Sequence, residues 1–292
     1  MSDNETIENV PTGASSGSSG SSGAPEDERE DIVYPEEIPK RKFIIRKVQN
    51  LSEVDQSWSI EKIVKERPPL GWGQLFKDYE AGARHVDKVL KNFGDDFVPH
   101  RKDLFNAFHW TPCNKVKIII VGQDPYHTVK GDVPQAVGAS FSLRRDASLQ
   151  PSLQNIYKEL KIEYGDDFNP PKHGDLQGWA RQGVLLLNTC LTTEPGIPKA
   201  HTKKGATGNM WTGLISQTFK MIRETRPHTV VMLWGKDAQN QVSPFIGRLH
   251  VLEAAHPSPF SARQFFGCNH FILANEYLVS KGETPVDWNR FD

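Results

Sequence analysis

The stretch VKIIIVGQDPYH, Val116–His127, decides the fold. Its first half is a short apolar run rich in β-branched residues, which predicts a buried β-strand over Val116–Val121. Its second half places a glycine, a carboxylate before a proline, and an aromatic ring directly after that strand. A strand that is apolar at nearly every position, as this one is apart from Lys117, is typical of a parallel sheet that helices cover on both sides.

Further strands and helices alternate after this stretch. Apolar runs predict strands at Val184–Thr189, Thr229–Trp234 and His250–Ala254. The predicted helices are Gln74–Phe93, which ends before Gly94, Ser152–Tyr164, which follows Pro151, and then Met210–Thr225, Lys236–Phe245 and Phe271–Ser280. The alternation predicts an α/β fold with three layers, α/β/α, around a central, mostly parallel four-stranded sheet.

Charge is distributed unevenly along the chain. Over all 292 residues the formal net charge is −1. Residues 1–37 hold ten Asp or Glu and one Arg, which leaves 34 of the 35 Lys and Arg and 26 of the 36 Asp and Glu for residues 38–292. The body is therefore basic, as suits a polyanionic partner.

The amino-terminal residues differ in composition from the rest. Residues 1–37 are acidic and rich in Ser and Gly, with SSGSSGSSG at Ser15–Gly23, so we expect a disordered tail there. Residues 38–57 form a basic entry segment. Two interpretations of Lys40–Lys42 stay open, a nuclear-import signal and a solvated basic face. The globular domain is expected over residues 58–292.

The cysteines and the first residues bear on the compartment. Cys113, Cys190 and Cys268 form no CxxC pair, which argues against a disulfide framework or a zinc site and for a reducing compartment. The acidic start MSDNETIENV is unlike a signal peptide, and no apolar run approaches the roughly 18 residues of a membrane span. We expect an intracellular protein, nuclear or cytoplasmic, that is not secreted and has no membrane partner.

Polar side chains stand where the predicted strands end. Asp124 follows the first strand, Asn188 closes the second, and His256 follows the fourth. The carboxyl ends of parallel strands meet at one edge of a sheet, and ligands bind there in this fold class. Each residue alone also has a structural explanation, namely a turn cap, a strand-end bond and a core histidine. Their convergence on one edge favours a functional site.

Several longer motifs resemble the family 1 uracil-DNA glycosylases. In chain order they are GQDPYH at Gly122–His127, GVLLLN at Gly183–Asn188, HPSP at His256–Pro259, FFGCNHF at Phe265–Phe271 and PVDW at Pro285–Trp288. The likeness runs from near Trp58 to the C-terminus, and several long motifs in one order are far more specific than one short pattern. It implies an enzyme that flips uracil out of DNA and hydrolyses its N-glycosidic bond, with free uracil and an abasic site as products.

The resemblance implies two catalytic residues. Asp124 would orient the attacking water and stabilise the oxocarbenium-like sugar that forms as the bond breaks. His256 would hydrogen-bond the uracil O2 as negative charge builds on the leaving base. This division of charge needs no metal ion and no organic cofactor, and these motifs place no lysine as a Schiff-base nucleophile.

Four further residues would hold the base. Asn188 would accept from uracil N3–H and donate to O4, a pattern that cytosine does not match. Phe141 would stack on the base, Tyr126 would stand where a thymine methyl must go, and Gln123 would contribute a backbone donor near O2.

Six residues would contact DNA around the flipped nucleotide, which leaves the stack at a cost of a few kcal/mol. Phe260 occupies the place of the family's intercalating leucine and would act as an apolar wedge. A loop aromatic packed back on the body is the alternative. Short hydroxyls suit close approach to phosphates, and basic side chains suit their charge. The other five residues are Ser152, Ser258, Ser261, Lys236 and His201.

The sequence departs from the family pattern in places. Thr128–Ser140 (TVKGDVPQAVGAS) is longer than usual, with Val137 where a histidine is expected. Lys236 stands where a serine is common, and Arg263 and Gln264 replace an aromatic–arginine pair. None of these changes removes a catalytic or base-reading residue.

The partner implied is uracil-containing DNA, single- or double-stranded. We expect a monomer, with the tail of residues 1–37 available for contacts with replication proteins. Two rival functions stay open: a DNA-binding polymerase accessory on a glycosylase fold with little catalysis, and a glycosylase with a shifted substrate range. Intact Asp124 and His256 argue against the first, and Tyr126 with Asn188 argues for uracil against the second.

Overall fold

A four-stranded parallel sheet lies at the centre of the computed structural model, which describes residues 54–94, 96–202 and 209–292. The strands are β1 (Ile118–Gly122), β2 (Val129–Lys130), β3 (Val133–Pro134), β4 (Val184–Asn188), β5 (Val230–Trp234) and β6 (His250–Ala254). The order in the large sheet is β4-β1-β5-β6, and every neighbouring pair is parallel. Strands β2 and β3 form a separate antiparallel hairpin.

Helices flank this sheet. They are α1 (Ile60–Glu66), α2 (Gly73–Asp78), α3 (Glu80–Lys91), α4 (Asn106–Trp110), α5 (Pro151–Tyr164), α6 (Gln177–Arg181), α7 (Thr212–Thr225), α8 (Lys236–Ile246), α9 (Ala262–Phe265) and α10 (His270–Ser280). The predicted α/β/α architecture with a four-stranded sheet is confirmed. None of the helices in the described ranges is long and apolar enough to cross a membrane.

Burial explains why the strands form where they do. Every residue of β1, β4 and β5 is buried, as their continuous apolar sequences require. Each fully buried Val, Leu or Ile contributes about 1.5–3 kcal/mol of hydrophobic stabilisation. Strand β6 lies at the sheet edge and is only partly covered, with Glu253 exposed. The buried strands therefore hold their ends, and the loops that follow them, in fixed positions.

The amino-terminal part of the domain differs from its prediction. The helix expected over Gln74–Phe93 is two helices, and Tyr79 ends α2 and begins α3 with ψ −3° instead of about −42°. Helix α3 packs against α1, whereas α2 also contacts α7, so tertiary packing divides a stretch that has one helical period. The prediction of a single helix over Gln74–Phe93 was therefore wrong. Helix α1, which Ser59 caps by accepting from the Lys62 N–H, was not predicted.

Some expectations fall outside the described residues. These are the disordered tail, nearly all of the basic entry segment 38–57, and the loop at 203–208. They stay predictions. The segment Thr128–Ser140, expected as a longer loop, contains the β2–β3 hairpin, and Val137 is partly buried against the core.

Candidate active site

The carboxyl edge of the sheet carries the predicted site residues. Gly122 at the end of β1 lies directly opposite Asn188 at the end of β4. The pairing continues past the strands, because the Thr189 N–H donates to the Gly122 carbonyl at 2.9 Å and the Cys190 N–H donates to the Gln123 carbonyl at 2.9 Å. The loop that bears Asp124 is thus fixed to the segment after β4. Gln123 itself is half-buried, and its carbonyl also accepts from the Thr189 hydroxyl.

Asn188 is a buried amide, 5% exposed. Its Oδ1 lies against Gly122, where an added Cβ would stand 2.2 Å from that oxygen. Only glycine at position 122 therefore leaves room for the side chain. Among the described residues the Asn188 amide has no hydrogen-bond partner, so its donor and acceptor are available to a ligand.

Asp124 is held by a backbone donor. Its Oδ2 accepts from the Lys199 N–H at 2.7 Å. Burial raises the pKa of Asp124, while the Lys199 N–H, the Lys199 ammonium and His127 oppose that rise and Asp237 adds to it. The group is a carboxylate above its pKa, and partial exclusion of water strengthens its field on a nearby cation.

His256 is held as a neutral ring. Its Nδ1 lies 3.0 Å from the Ser258 N–H and accepts from it, which assigns the proton of the neutral imidazole to Nε2. Burial lowers the pKa of His256, and the Lys199 ammonium lowers it further against the opposing effect of Asp237. Gly235 after β5, with φ 90°, makes room for this histidine, since a Cβ there would stand 2.9 Å from the His256 Cβ.

Phe141 adds an aromatic face next to His256. The two ring centroids are 6.0 Å apart, and the Trp234 ring lies 5.5 Å from Phe141 on another side. Phe141 has φ 58°, and the residue before it is fixed to β1, because the Ser140 hydroxyl donates to the Ile120 carbonyl at 3.0 Å. The backbone strain at Phe141 is thus supported by buried hydrogen bonds.

Tyr126 presents a ring rather than a hydrogen-bonding group. Its hydroxyl is buried and has no hydrogen-bond partner among the described residues. Burial raises the pKa of Tyr126, so the phenol stays neutral. The residue is suited to exclude a substituent by its volume.

The loop after β6 presents the predicted DNA contacts. Phe260 is fully exposed, which contradicts the alternative of a ring packed back on the body. The Ser258 and Ser261 hydroxyls lie 3.1 Å apart, and the Ser261 hydroxyl donates to the His256 carbonyl at 2.6 Å. Two other predicted contacts lie in first helical turns, Ser152 half-buried in α5 and Lys236 exposed in α8.

His201 is placed otherwise than predicted. It is 2% exposed, its Nδ1 lies 2.9 Å from the Thr192 hydroxyl, and its ring lies 4.5 Å from the Phe93 ring. Burial lowers its pKa to about 4. A neutral, buried imidazole does not reach a phosphate, so the predicted DNA contact of His201 is contradicted by its position.

Helix α5 supports the loop after β6 at both ends, which the sequence reasoning missed. Asn155 donates through Nδ2 to the Pro257 carbonyl at 2.8 Å. One turn later, the fully buried Glu159 accepts from the Gly267 N–H at 2.8 Å and from the Asn269 N–H at 3.1 Å. The sequence does contain a signal for this support, because two polar residues stand four positions apart on the apolar face of a predicted helix.

In the described part of the chain, one cluster of two carboxylates and a thiol has ligand atoms close enough together to resemble a metal site. Ligand atoms of Glu159, Glu163 and Cys268 lie within 4.8 Å of one another. Both carboxylates accept backbone N–H groups, burial beside Glu159 raises the pKa of Glu163, and burial raises the pKa of the Cys268 thiol to about 12. These residues therefore fit a capping role at the start of α10 better than a cation site, and they include no predicted site residue.

A polar cleft of about 710 Å³ adjoins the site. Gln123, Thr189, Lys199 and Asp237 are among its lining residues, whereas Asn188, Phe141 and His256 are not. The cleft therefore borders the predicted base pocket without being that pocket.

Comparisons with known proteins agree with one another. The model of the uracil DNA glycosylase superfamily matches residues 108–279. Uracil-DNA glycosylases of Escherichia coli (strain K12) and Shigella flexneri serotype 5b are each 46% identical over 197 residues, which is 67% of this chain and 82% of theirs. Among solved structures, mimivirus uracil-DNA glycosylase has a TM-score of 0.66 at 25% identity, covering 78% of this chain and 88% of that one. A variant of mimivirus UNG in complex with UGI has a TM-score of 0.67 at 26% identity, covering 78% and 90%.

Proposed function

This chain belongs to the uracil DNA glycosylase superfamily, and from that premise we propose which of its residues carry out the reaction. Its activity is that of a uracil-DNA glycosylase, a DNA-repair hydrolase that releases uracil, leaves an abasic site and acts without a metal ion. The observation that carries the assignment is the meeting of strand ends at one sheet edge, which places Asn188 beside Gly122 and Phe141 beside His256. We take residues 58–292 as the catalytic domain.

Asp124 acts on the sugar. As the C1′–N bond breaks, positive charge develops on the deoxyribose, and a fixed carboxylate in a partly dry site stabilises it. The Lys199 N–H occupies one lobe of Oδ2 and restrains the carboxylate. The remaining lone pairs orient the attacking water and accept its proton as the new C1′–O bond forms.

His256 acts on the leaving base. Because Nδ1 accepts the Ser258 N–H, the neutral ring donates through Nε2–H to the uracil O2. That donor stabilises the negative charge that accumulates on the base as the bond electrons move into the pyrimidine. A neutral imidazole keeps its proton during this step, so it acts as an electrostatic partner rather than as an acid.

Asn188 and two rings select the base. The unpartnered Asn188 amide accepts from uracil N3–H and donates to O4, and cytosine would leave both groups unpaired at a cost of about 1–3 kcal/mol each. Phe141 stacks on the base beside His256. Tyr126 excludes thymine by volume, because the pairing edge of thymine equals that of uracil. Gln123 contributes its backbone N–H near O2.

The DNA backbone is held around the flipped nucleotide. The fully exposed Phe260 fills the gap that the uracil leaves in the stack. Ser152, Ser258, Ser261 and Lys236 contact the neighbouring phosphates. The substrate is uracil-containing DNA, and we propose that it is accepted as single and as double strands. We also propose that the enzyme acts as a monomer inside the cell, in the nucleus or the cytoplasm. The tail of residues 1–37 would contact replication proteins.

The alternative is a DNA-binding accessory with little catalysis. A carboxylate in a partly buried position beside an anionic duplex weakens binding, and a pure binding protein gains nothing from it. The restraint of Asp124 by the Lys199 N–H favours catalysis.

Excision from a single-uracil oligonucleotide in the presence of a chelator tests the assignment. The wild type is expected to retain full activity with chelator. Asp124→Asn and His256→Leu are each expected to lower single-turnover excision by about 10²–10³-fold, the usual effect of removing one preorganised electrostatic group. Loss of activity on adding chelator, or variants as active as the wild type, would overturn the mechanism.

A further inference from the structure

Lys199 holds Asp124 from a constrained backbone. It has φ 59°, a value that residues with a Cβ rarely adopt, and its N–H donates to Asp124 Oδ2 at 2.7 Å. The same loop reaches the GQDPYH segment a second time, because the Gly196 N–H donates to the His127 carbonyl at 2.8 Å. The backbone N–H of residue 199 therefore restrains the Asp124 carboxylate.

The side chain of Lys199 is tied to another element. Its Nζ lies 2.7 Å from Asp237 Oδ2, in the first turn of α8. Both side chains are about half exposed, so the pair faces solvent. The ion pair joins the loop after β4 to the helix after β5, and both residues line the cleft that borders the predicted base pocket.

Both proposed catalytic groups, Asp124 and His256, also lie in the electrostatic field of this ion pair. The charged groups that act on Asp124 are Lys199, His127 and Asp237, and those that act on His256 are Lys199 and Asp237. The Cys190 thiol also lies in the field of Asp124, but it stays neutral because burial raises its pKa to about 12. Because the two charges of the pair are opposite and adjacent, their effects on the site largely cancel while both are present.

We propose that the Lys199–Asp237 ion pair is a positioning device for Asp124, holding residue 199 in its left-handed conformation so that its N–H restrains the catalytic carboxylate. The ammonium of Lys199 is engaged by Asp237 and is not a free phosphate contact. The proposal deepens the assignment of Asp124 and rests on it.

The pair has a kinetic signature that a phosphate contact would not have. Breaking the ion pair from either side frees the loop, so Lys199→Met and Asp237→Asn each lower kcat, by about fivefold, the upper range for an exposed pair. The KM for DNA moves in opposite directions. Removing the cation raises KM and removing the anion lowers it, by about threefold each at low salt.

The pH profile separates the variants further. Catalysis needs ionised Asp124, so activity falls on the acid side as Asp124 is protonated. Loss of the Lys199 ammonium raises the pKa of Asp124, and the acid limb of kcat moves to higher pH in Lys199→Met. Loss of the Asp237 carboxylate lowers the pKa of Asp124, and the limb moves to lower pH in Asp237→Asn.

The experiment measures kcat, KM and the acid limb on one uracil oligonucleotide. The variants are Lys199→Met, Asp237→Asn, their combination, Lys199→Arg and Asp124→Asn. The double variant is expected to show the same roughly fivefold loss in kcat as either single variant, with KM near that of the wild type, because the two residues act as one unit. Lys199→Arg, which can keep the ion pair, is expected to retain kcat within about twofold. Lys65→Met, which breaks the exposed Lys65–Glu61 pair of equal 2.7 Å length on α1, is the matched control and leaves all three quantities unchanged.

Four outcomes would overturn the proposal. Wild-type kcat in both single variants, or losses that multiply to about 25-fold in the double variant, would show that the pair does not act as a unit on Asp124. If kcat fell and KM rose in both single variants, the substitutions would have disturbed the structure at the carboxyl edge of the sheet as a whole. An active Asp124→Asn variant would instead remove the assignment of Asp124, and the pair with it.

Discussion

The base pocket and the loop after β6 lie at the same edge of the sheet and are built in opposite ways. In the pocket, Asn188 is 5% exposed and sits against Gly122 with no space to spare. At the tip of the loop, Phe260 is fully exposed, so none of the described residues packs against its ring. The rest of the loop is held, because Asn155 and Glu159 on α5 bind its two ends and the Ser261 hydroxyl donates to the His256 carbonyl.

The difference fits the roles that we propose for the two regions. Discrimination between bases needs polar groups that are in place before the substrate binds. If these groups had to rearrange, the free energy of rearrangement would reduce the difference in binding free energy between the correct and the incorrect base. A wedge needs an apolar surface that can enter a gap of variable shape, and a firm base to transmit the insertion. Changes in the pocket should therefore affect every substrate, and changes in the loop only those that are stacked in a duplex.

Among the changes that compare the pocket with the loop, Gly122→Ala is expected to have the largest effect. The added Cβ would overlap Asn188 Oδ1, so the amide must move, and excision of uracil should fall about 100-fold, the effect of losing one preorganised contact. Single- and double-stranded uracil substrates, compared under single turnover, should lose equally. Gly73→Ala, where a Cβ meets nothing, is the control. A loss confined to duplex would erase the contrast between pocket and loop.

Tyr126→Ala should change specificity more than rate. Removing the ring opens space for a 5-methyl group, so thymine release becomes measurable, and uracil excision falls about tenfold from lost packing. Release of each base from matched oligonucleotides measures this. Tyr126→Phe removes only a hydroxyl that has no partner among the described residues, and it should keep the exclusion of thymine. Thymine release by the Phe variant would show that exclusion does not depend on volume.

Phe260→Ala should separate the two substrate forms. Without the wedge the flipped state is less stable in a duplex, and excision from duplex should fall about tenfold, within the range for one lost stacking contact. Excision from a single strand, which has no stack to refill, should stay near the wild-type rate. Equal losses on both forms would remove the wedge role.

Asn155→Ala should give a weaker version of the same separation. The Pro257 carbonyl loses its donor and the loop base loosens, so the duplex-to-single-strand ratio should fall by about threefold, as expected for one neutral hydrogen bond. Lys158→Ala, exposed on the same helix, provides the comparison. An unchanged ratio would mean that the loop needs no support at Pro257.

The fold was largely predictable because the strands are unambiguous. Residues 184–187 and Val230–Trp234 are apolar on both faces, and a sheet covered on both sides satisfies such sequences. The division of a single helical stretch at Tyr79 could not be predicted, since it depends on which neighbouring helix each half packs against. The short hairpin at Val129–Pro134 lacked a periodic signal long enough to detect.

The position of the candidate site was predictable where it depends on the side chains that follow the strands. Resemblance and strand position together pointed to Asp124, Asn188 and His256, and these three stand at the ends of β1, β4 and β6. The donor to Asp124 is a backbone N–H of a lysine with positive φ, and no sequence pattern reports that. His201 was predicted to contact DNA on the strength of the family resemblance, whereas its ring is buried beside Phe93, which is distant in sequence.

The parallel course of β4, β1, β5 and β6 has a consequence for how the enzyme comes into being. Asp124, Asn188 and His256 are each more than sixty residues from the next along the chain, with a crossover between each pair of strands. No hairpin or local fragment can hold two of them together, and contacts so distant in sequence form late and slowly during folding. Uracil release is thus a stringent reporter of completed topology, and a refolding assay that follows it should lag behind the recovery of helical structure.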